Sequence, residues 1–423
     1  MEKQLVPQLR FSEFEGNWFV KKYNKIFSFY STNSLSREYL NYENGVVKNI
    51  HYGDIHTKFS TLFDIEKEKV PFVNTDVDLS KIKDENFCQE GDLLIADASE
   101  DYNDIGKTTE IINLNNEKLI SGLHTFHARP NKFKMAIGFS GYLLQSWKVR
   151  KQVMTIAQGT KVLGLATSRL GEINLFITSI PEQQKIASFL SDVDAKITQL
   201  TKKKDLLEQY KKGIMQKIFN QELRFKDDNG NEFPKWQEKK LGEVCKLQGG
   251  YAFKSNQFKK QGIPIIRISN ISNNNNFIDS NNLVYYDDFD INENFILKKD
   301  DLIVAMSGAT TGKSSIYNLE VKGFVNQRVG VFRPQNNLLN KFLIQFVFSN
   351  EFIKQLDKVL VAGAQPNISS KDIETFIIPI PCLKEQTKIA NFLSDIDIKI
   401  EALKTKIENS KTFKKGLLQQ MFV

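Results

Sequence analysis

A stretch of sixteen residues that occurs twice is the feature that most constrains the fold of this chain. Residues 182–197 read EQQKIASFLSDVDAKI and residues 385–400 read EQTKIANFLSDIDIKI, with twelve of the sixteen positions identical. The similarity continues through YKKGIMQKIF, which ends at Phe219, and FKKGLLQQMF, which ends at Phe422. A repeat spacing of 203 residues is too long for a solenoid of short repeats. It predicts a duplicated half-protein.

The repeated stretch is typical of a long amphipathic helix. In each copy apolar residues recur every seven positions, and a second apolar series follows four positions behind the first. The first series contains Ile186, Val193, Leu200, Leu207 and Ile214 in one copy and Ile389, Ile396, Leu403 and Leu417 in the other. Heptads sustained over this length indicate coiled-coil packing, and the expected partner is the other copy in the same chain. At about 1.5 Å per residue such a helix would be roughly 58 Å long, so we expect a rigid spacer between two domains.

Polar residues interrupt the two apolar series at four positions, which are Lys204, Lys211, Ser410 and Lys414. Polar residues at such positions can fix the register of a coiled coil. They can equally mark turns of the helix that are partly exposed. The sequence leaves both interpretations open.

The residues before each helix also repeat, more loosely. GDLLIADAS (91–99) matches DDLIVAMSG (300–308), and each predicts an acidic turn followed by a strand buried on both faces. FHARP (126–130) matches GVFRP (330–334), which predicts a strand that ends at Arg-Pro. Each half also opens with a Leu-Arg-Phe stretch followed by a tryptophan, and we interpret these tryptophans, Trp18 and Trp236, as packing anchors.

These patterns predict an α+β fold with a pseudo-twofold internal repeat. Two similar β-rich domains would be separated by two long helices, packed as an antiparallel coiled coil within the chain. The predicted boundaries are 1–176 for the first domain, 177–222 for the first helical region, 223–376 for the second domain and 377–423 for the second helical region.

Charge and cysteine content narrow the class of protein. The net charge of +8 and the isoelectric point of about 9.0 favour a polyanionic partner, although many basic proteins bind no nucleic acid. Three isolated cysteines, Cys88, Cys245 and Cys382, argue against a disulfide framework or a structural zinc site. Neither an apolar run of about eighteen residues nor an N-terminal signal core is present, so we expect a cytoplasmic protein without a membrane span.

Motifs that would indicate an enzyme are weak or missing. SGATTGKS (307–314) has three residues between its glycines, where a phosphate-binding loop needs four. His124 and His127 have a spacing that a metal could use, but on a strand they would face opposite sides, so we expect no metal site. The sequence shows no methyltransferase, nucleophile-elbow, helicase or nuclease motif, which favours a non-catalytic binding protein.

The whole arrangement resembles the specificity subunit of type I restriction–modification systems. The resemblance rests on two variable domains, each followed by EQxKIAxFLSDxDxKI, and on the closing KKGLLQQMF. FIIPIPCLKEQ, before the second helix, is similar to the proline-rich segment of the family at that place, whereas ITSIPEQ in the first copy departs from it. GAQPNIS (363–369) is also similar to the family, but the first copy has TKVLGLA there. Whether Lys161 and Leu163 act as Gln365 and Asn367 would is therefore open.

The resemblance implies a subunit that reads an asymmetric, bipartite sequence in double-stranded DNA, one half for each target recognition domain. It also implies that the helices set the spacing and dock two methyltransferase subunits, and that restriction–translocase subunits join for cleavage. S-adenosylmethionine and ATP with Mg²⁺ would then belong to these partners, which methylate adenine and cut DNA. A coiled-coil scaffold whose two domains bind other ligands would explain the duplication equally well, but it would not need the basic charge.

Candidate DNA contacts are basic, amide and aromatic residues in loops at corresponding places in the two halves. In the first half they are Arg37, Tyr39, Tyr42, Lys48, His51, Lys58, Lys107 and His124. In the second half they are Lys254, Arg267, Asn270, Thr310, Lys313, Arg328, Gln365 and Asn367. Lys107 and Lys313 each follow a glycine after the buried strand, and we expect these Gly-Lys turns to approach a DNA phosphate.

Overall fold

The structure is a computed structural model that describes residues 5–271, 276–361 and 367–423. The chain divides into two compact units. Unit 1 comprises Met1–Thr201 and Thr405–Val423, and unit 2 comprises Lys202–Lys404. Each unit contains one β-rich region and a segment of both long helices, which confirms the predicted α+β class.

Unit 1 is built mainly on two mixed sheets. Its strands are β1 (Phe19–Lys22), β2 (Phe27–Tyr30), β3 (Leu40–Asn41), β4 (Val47–Ile50), β5 (Leu62–Asp64), β6 (Phe72–Val73), β7 (Leu93–Ala96), β8 (Ala98–Ser99), β9 (Thr108–Asn113), β10 (Lys118–Ser121), β11 (Thr125–Pro130), β12 (Leu163–Gly164) and β13 (Asn174–Ile177). The sheets have the orders β2-β11-β7-β9-β5 and β10-β4-β6-β3, and β1 pairs with β13 and β8 with β12. Its helices are α1 (Tyr52–Thr57), α2 (Phe139–Gln145), α3 (Trp147–Ile156), α4 (Thr167–Leu170), the first part of α5 (Ile180–Phe219) and the last part of the second long helix, α9 (Leu383–Gln420).

Unit 2 has a similar plan. Its strands are β14 (Gln237–Lys240), β15 (Cys245–Gly249), β16 (Ile263–Ile266), β17 (Val284–Tyr286), β18 (Ile296–Leu297), β19 (Leu302–Ala305), β20 (Ser314–Ile316), β21 (Gly323–Val325), β22 (Val329–Pro334) and β23 (Ile377–Ile380). The sheets have the orders β15-β22-β19-β20 and β17-β16-β21-β18, and β14 pairs with β23. Its helices are α6 (Asn340–Val347), α7 (Asn350–Val361), α8 (Ser370–Glu374), the last part of α5 and the first part of α9 (Leu383–Gln420).

The predicted buried strands lie inside the main sheet of each unit. All residues of β7 and β19 are buried, and each strand pairs with the strand that ends at Arg-Pro, β11 or β22. The arginine of that strand binds the acidic turn, with Arg129 Nη2 2.8 Å from Asp92 Oδ2 and Arg333 Nη1 2.8 Å from Asp301 Oδ2. Burial acts to raise the pKa of Asp92, but its bonds to His127 and Arg129 lower it below the usual value. The acidic turn and the Arg-Pro end therefore form one ion pair in each unit.

A buried glutamate anchors the start of α5. Glu182 is 1% exposed and accepts hydrogen bonds from Arg10 Nη2 at 2.7 Å and from Trp18 Nε1 at 3.4 Å. Arg10 Nε and Thr178 Oγ1 donate two further bonds to the same carboxylate. A buried carboxylate needs such compensation because it has lost its hydration. The Leu-Arg-Phe stretch and the tryptophan thus act together on the helix that follows their domain.

Unit 2 repeats this anchor with equivalent residues. Glu385 is fully buried and accepts hydrogen bonds from Arg224 Nη2 at 2.7 Å and from Trp236 Nε1 at 2.9 Å. The two helices also start at equivalent positions, at Ile180 and Leu383. The departure of the first copy from the proline-rich pattern therefore leaves the start of its helix unchanged.

The two long helices run antiparallel. In unit 1, Leu190 near the start of α5 shares a hydrophobic core with Met421 near the end of the chain. In unit 2, Ile218 near the end of α5 shares a core with Leu393 near the start of α9. Of the predicted seam, Ile186, Ile389, Ile396, Leu403 and Leu417 are buried, and Val193, Leu200, Leu207 and Ile214 are half-buried. The predicted antiparallel intramolecular coiled coil is confirmed.

Two polar seam residues form matching ion pairs between the helices. Lys211 Nζ lies 2.6 Å from Asp397 Oδ1 in unit 2, and Lys414 Nζ lies 2.7 Å from Asp194 Oδ1 in unit 1. The same aspartates bind their β-rich regions, because Gln345 Nε2 donates to Asp397 at 3.1 Å and the equivalent Tyr142 hydroxyl donates to Asp194 at 2.9 Å. A one-turn slip of either helix would separate the paired charges, which favours the register interpretation for these two lysines.

The other two polar seam residues bond within their own helices. Lys204 Nζ lies 3.1 Å from Asp205 Oδ1, and Ser410 Oγ donates to the Lys406 carbonyl at 2.8 Å. Both are half-buried, which fits the alternative interpretation of partly exposed turns.

Cys88 and Cys245 are buried free thiols and Cys382 is half-buried. Across the described ranges, no helix combines the length and the apolar character that a membrane crossing requires.

Candidate nucleic-acid interface

In unit 2 several loops meet at one end of the main sheet. Met306 N–H donates to the Arg328 carbonyl at 2.9 Å, and Ile368 N–H donates to the Met306 carbonyl at 2.9 Å. Thr310 Oγ1 donates to the Ile268 carbonyl at 3.1 Å. These bonds join four loops into one surface. We call it loop end 2, and it comprises residues 267–270, 306–313, 326–328 and 367–368.

Unit 1 builds the same surface with the same backbone bonds. Asp97 N–H donates to the His124 carbonyl at 3.1 Å, and Leu165 N–H donates to the Asp97 carbonyl at 2.8 Å. Each bond matches one in loop end 2. We call this surface loop end 1, and it comprises residues 51–56, 97–107, 122–124 and 164–165.

The side chains on this shared backbone differ between the two loop ends. His124 is exposed and has a φ of 55°, and its Nδ1 lies 3.2 Å from Asp97 Oδ1. Burial raises the pKa of Asp97, and His124 opposes that shift. At the equivalent positions loop end 2 has Arg328, which is exposed, and Met306. The backbone is therefore retained in both units, while the side chains that it carries are exchanged.

The Gly-Lys turns require glycine for the same reason in both units. Gly106 has a φ of 67° and Gly312 has a φ of 80°, which residues other than glycine rarely adopt. A Cβ at Gly106 would also lie 2.6 Å from Val153 Cγ1, and one at Gly312 would lie 2.6 Å from Leu356 Cδ2. The glycines therefore allow a helix, α3 in unit 1 and α7 in unit 2, to pack closely against the turn.

The lysines of these turns differ. Lys107 Nζ donates to the His56 carbonyl at 2.6 Å and lies 3.7 Å from Asp104 Oδ1, so its charge is used within unit 1. Lys313 is exposed, and within the described part of the chain its ammonium has no ion pair or hydrogen bond. Of the two lysines, Lys313 is the one available to a phosphate.

Four of the predicted DNA contacts of unit 1 lie at or near one buried carboxylate, that of Asp54. Asp54 is fully buried and pairs with Arg37 Nη2 at 3.1 Å and Lys58 Nζ at 2.8 Å. Lys58 also donates to the Tyr42 hydroxyl at 3.0 Å, and exposed Tyr39 lies in the same loop as Arg37. The hydrogen bond to Asp54 raises the pKa of Lys58. Two half-exposed cations on one carboxylate leave a positive surface.

The histidines of unit 1 fall into two environments. The rings of His51, His56 and His124 lie 4.6, 5.9 and 5.3 Å from the Tyr52 ring, whereas His127 is fully buried and binds Asp92. His51 is buried too, its Nδ1 accepts the Gly53 N–H, and burial lowers its pKa. We therefore assign His51 to the fold of its loop and keep His124 as a contact candidate. Within the described ranges, no group of three or more His, Cys, Asp or Glu residues could hold a metal ion.

Two further predicted residues have partners inside the protein. Lys48 Nζ lies 2.6 Å from Glu117 Oε2, and its side chain is 13% exposed. Asn270 is fully buried, accepts the Arg267 N–H at 3.1 Å and donates to the Asp279 carbonyl at 3.2 Å. With no exposed surface, Asn270 is corrected from a DNA contact to a residue that shapes the loop.

The remaining candidates of unit 2 differ in their surroundings. Arg267 Nη2 donates to the Asn282 carbonyl at 3.0 Å, and Lys254 and Asn367 are exposed, the latter bridged to Ser307. Gln365 lies outside the described residues. In the first copy Leu163 is buried in β12 and Lys161 is exposed, so of these two only Lys161 offers a side chain to a ligand.

The structure adds four residues that the sequence patterns did not single out, three on the loop ends and one beside Tyr42. Asp97 directly follows a buried strand, and Tyr52 lies among the histidines, so both positions carried a local signal. Exposed Gln327 lies beside Arg328 and could have been found in the same way. Lys69, whose Nζ lies 5.0 Å from the Tyr42 ring centre, carried no local signal, because a fold contact brings it there.

Comparison with known proteins gives consistent matches over most of the chain. The sequence profile described as "Type I restriction modification DNA specificity domain" matches residues 15–209 and 234–410. The type I restriction enzyme MjaVIII specificity subunit of Methanocaldococcus jannaschii is 28% identical over 288 residues, which cover 66% of this chain and 68% of that protein. The putative MjaX specificity subunit of the same organism is 26% identical over 343 residues, covering 78% and 76%.

Solved structures agree on the fold. The crystal structure of the S subunit of a type I restriction–modification system from M. genitalium superimposes with a TM-score of 0.61 over 99% of both chains, at 16% identity. A chain from a structural study of the assembly of a type I system gives a TM-score of 0.52 at 15% identity. At these identities the structural matches establish the fold alone.

Proposed function

The chain belongs to the type I restriction–modification DNA specificity family, and we propose that it reads an asymmetric, bipartite site in double-stranded DNA for partner subunits that methylate adenine and cleave DNA. Unit 1 would read one half of the site through loop end 1, and unit 2 the other half through loop end 2. The chain itself would be non-catalytic.

One observation carries this proposal above the others. The two loop ends share their backbone hydrogen bonds, yet Asp97 and His124 in one stand where Met306 and Arg328 stand in the other. A common ligand would favour common side chains on a common backbone. Two half-sites of different sequence favour the exchange that is seen, because base edges are read by side chains placed in a groove.

Two methyltransferase subunits would dock on the long helices. Tyr210 and Phe413 occupy equivalent positions in the two copies and are 51% and 57% exposed. Aromatic residues that are exposed at equivalent helix positions suit two copies of one partner. S-adenosylmethionine, ATP and Mg²⁺ would be bound by the partners, with restriction–translocase subunits joining for cleavage.

Exchange of residues 1–175 for the corresponding segment of another family member tests the assignment of half-sites. We expect the methylated sequence to change in one half only, since unit 2 keeps its own loop end. Methylated adenines would be mapped genome-wide in cells that carry the original chain, the exchanged chain or no chain. A change in both halves, or methylation that does not depend on the chain, would contradict the proposal.

Lys313 provides a test of phosphate binding. We expect Lys313→Ala to weaken binding of the assembled complex to all duplexes alike, and to lower the slope of log affinity against log salt by about one. Lys107→Ala is the matched control, since its ammonium already binds the His56 carbonyl and should add nothing to the slope. Equal slopes for Lys313→Ala and the unchanged chain would refute the phosphate contact. If the complex showed no salt-sensitive retention on duplex DNA, the result would instead support a scaffold for other ligands.

A further inference from the structure

Arg328 is set apart from the other arginines of unit 2. Arg224 binds Glu385, Arg333 binds Asp301 and Arg267 donates to a backbone carbonyl. The Arg328 side chain is exposed and, within the described residues, has neither an ion pair nor a hydrogen bond. Its guanidinium is therefore free for a ligand, whereas those of the other three serve the fold.

The backbone beneath Arg328 is held firmly. Its carbonyl accepts the Met306 N–H at 2.9 Å, and Val329 N–H donates to the Asn326 carbonyl at 2.8 Å, closing the turn that presents the side chain. Asn326 N–H in turn donates to the Ile266 carbonyl at 3.0 Å. Because the anchor is fixed, a ligand need only order the side chain itself.

Its surroundings favour a base edge over a phosphate. Exposed Gln327 and Asn367 lie on the same loop end, and amides of this kind read base edges. The neighbouring Lys313 is a free point charge that suits a phosphate. An arginine fork among amides matches the two acceptors, O6 and N7, that guanine presents in the major groove, which is the commonest specific contact of arginine with DNA.

We propose that Arg328 is a specificity-determining residue that reads a guanine in the half-site recognised by unit 2. The inference rests on the proposed function. Loop end 1 lacks this reader, because His124 stands at the equivalent position with Asp97 3.2 Å away. The guanine contact of Arg328 therefore falls in the half-site of unit 2.

The test measures sequence discrimination by the full complex. Genome-wide methylation would be mapped for the natural chain, for Arg328→Ala and for Lys313→Ala. We expect Arg328→Ala to make one position degenerate, a position that is guanine in the natural motif, while the other half-site is unchanged. In duplex binding by the purified complex, discrimination at that position should fall by about 10-fold to 100-fold. Lys313→Ala should weaken all duplexes alike and keep the motif.

Several outcomes would overturn the inference. They are an unchanged motif, a relaxed position that is not guanine, or uniform weakening by Arg328→Ala of the kind expected for Lys313→Ala. Thermal unfolding of Arg328→Ala shows whether this variant keeps its fold. Arg328→Lys keeps the charge without the fork, so full discrimination by Arg328→Lys would also contradict the inference. If the natural chain directs no sequence-specific methylation, the proposed function itself fails.

Discussion

Replacement of Glu182 by alanine is expected to lower the free energy of unfolding of unit 1 by about 3–5 kcal/mol, as for other broken buried ion pairs. The carboxylate is 1% exposed and its partner Arg10 has a side chain that is 12% exposed. The substitution would leave that guanidinium charged and unpaired, and would remove the acceptor of Trp18 Nε1. It would also free the first turn of α5 from the domain that precedes it.

Hydrogen exchange in urea, resolved by peptide, would measure this effect, because it reports each unit separately where a single unfolding curve would not. Glu13→Ala is the matched control. Glu13 pairs with Lys185 of the same helix at 3.5 Å, but both side chains are about half exposed, so we expect a change below about 1 kcal/mol. Equal effects of the two variants would show that Glu182 is no anchor.

Insertion of one heptad into each long helix is expected to replace the methylated motif by one with a longer gap and unchanged half-sites. Seven residues add about 10.5 Å of helix, which corresponds to about three base pairs. The insertions belong after Leu200 in α5 and after Ile407 in α9. There they fall between Asp194 and Lys211 on one helix, and between the equivalent two residues on the other, so both Lys–Asp pairs are kept.

A heptad inserted after Leu200 alone is the control. It lengthens one helix between its two ion-paired residues while the other keeps its length, so the pairs are no longer in a common register. We expect this variant to lose stability and methylation. Methylation mapping of both variants would decide the matter. A gap that stays at its natural length in the doubly lengthened chain would refute the role of the helices as spacers.

The sequence predicted those parts of the fold that local patterns encode. Heptads gave the helices and their pairing, and the apolar runs at 93–96 and 302–305 gave the buried strands. These predictions succeeded because hydrophobic periodicity is a property of neighbouring residues. The repeat also located the equivalent loop ends.

Whether an individual site residue is exposed or is bound within the protein could not be predicted in this way. Lys107 and Lys313 follow the same Gly-Lys pattern, yet only Lys107 is bound, because α1 places the His56 carbonyl against it. Asn270 looked like a base-reading amide and is buried by its own turn. Whether a polar side chain is free depends on partners that are distant in sequence.

Unit 1 is built from two separate segments of the chain, and this affects how it can fold during synthesis. The ring of Phe422 contacts Trp18 at 6.1 Å and Phe139 at 5.6 Å, so residues translated after unit 2 complete a core begun before it. Domains generally fold in the order in which the ribosome releases them. Here the first unit to emerge is the last to be completed. Until residues 405–423 are made, Trp18 and Phe139 lack the ring that packs against both of them, and exposed apolar surface of this kind makes an incomplete domain prone to aggregate.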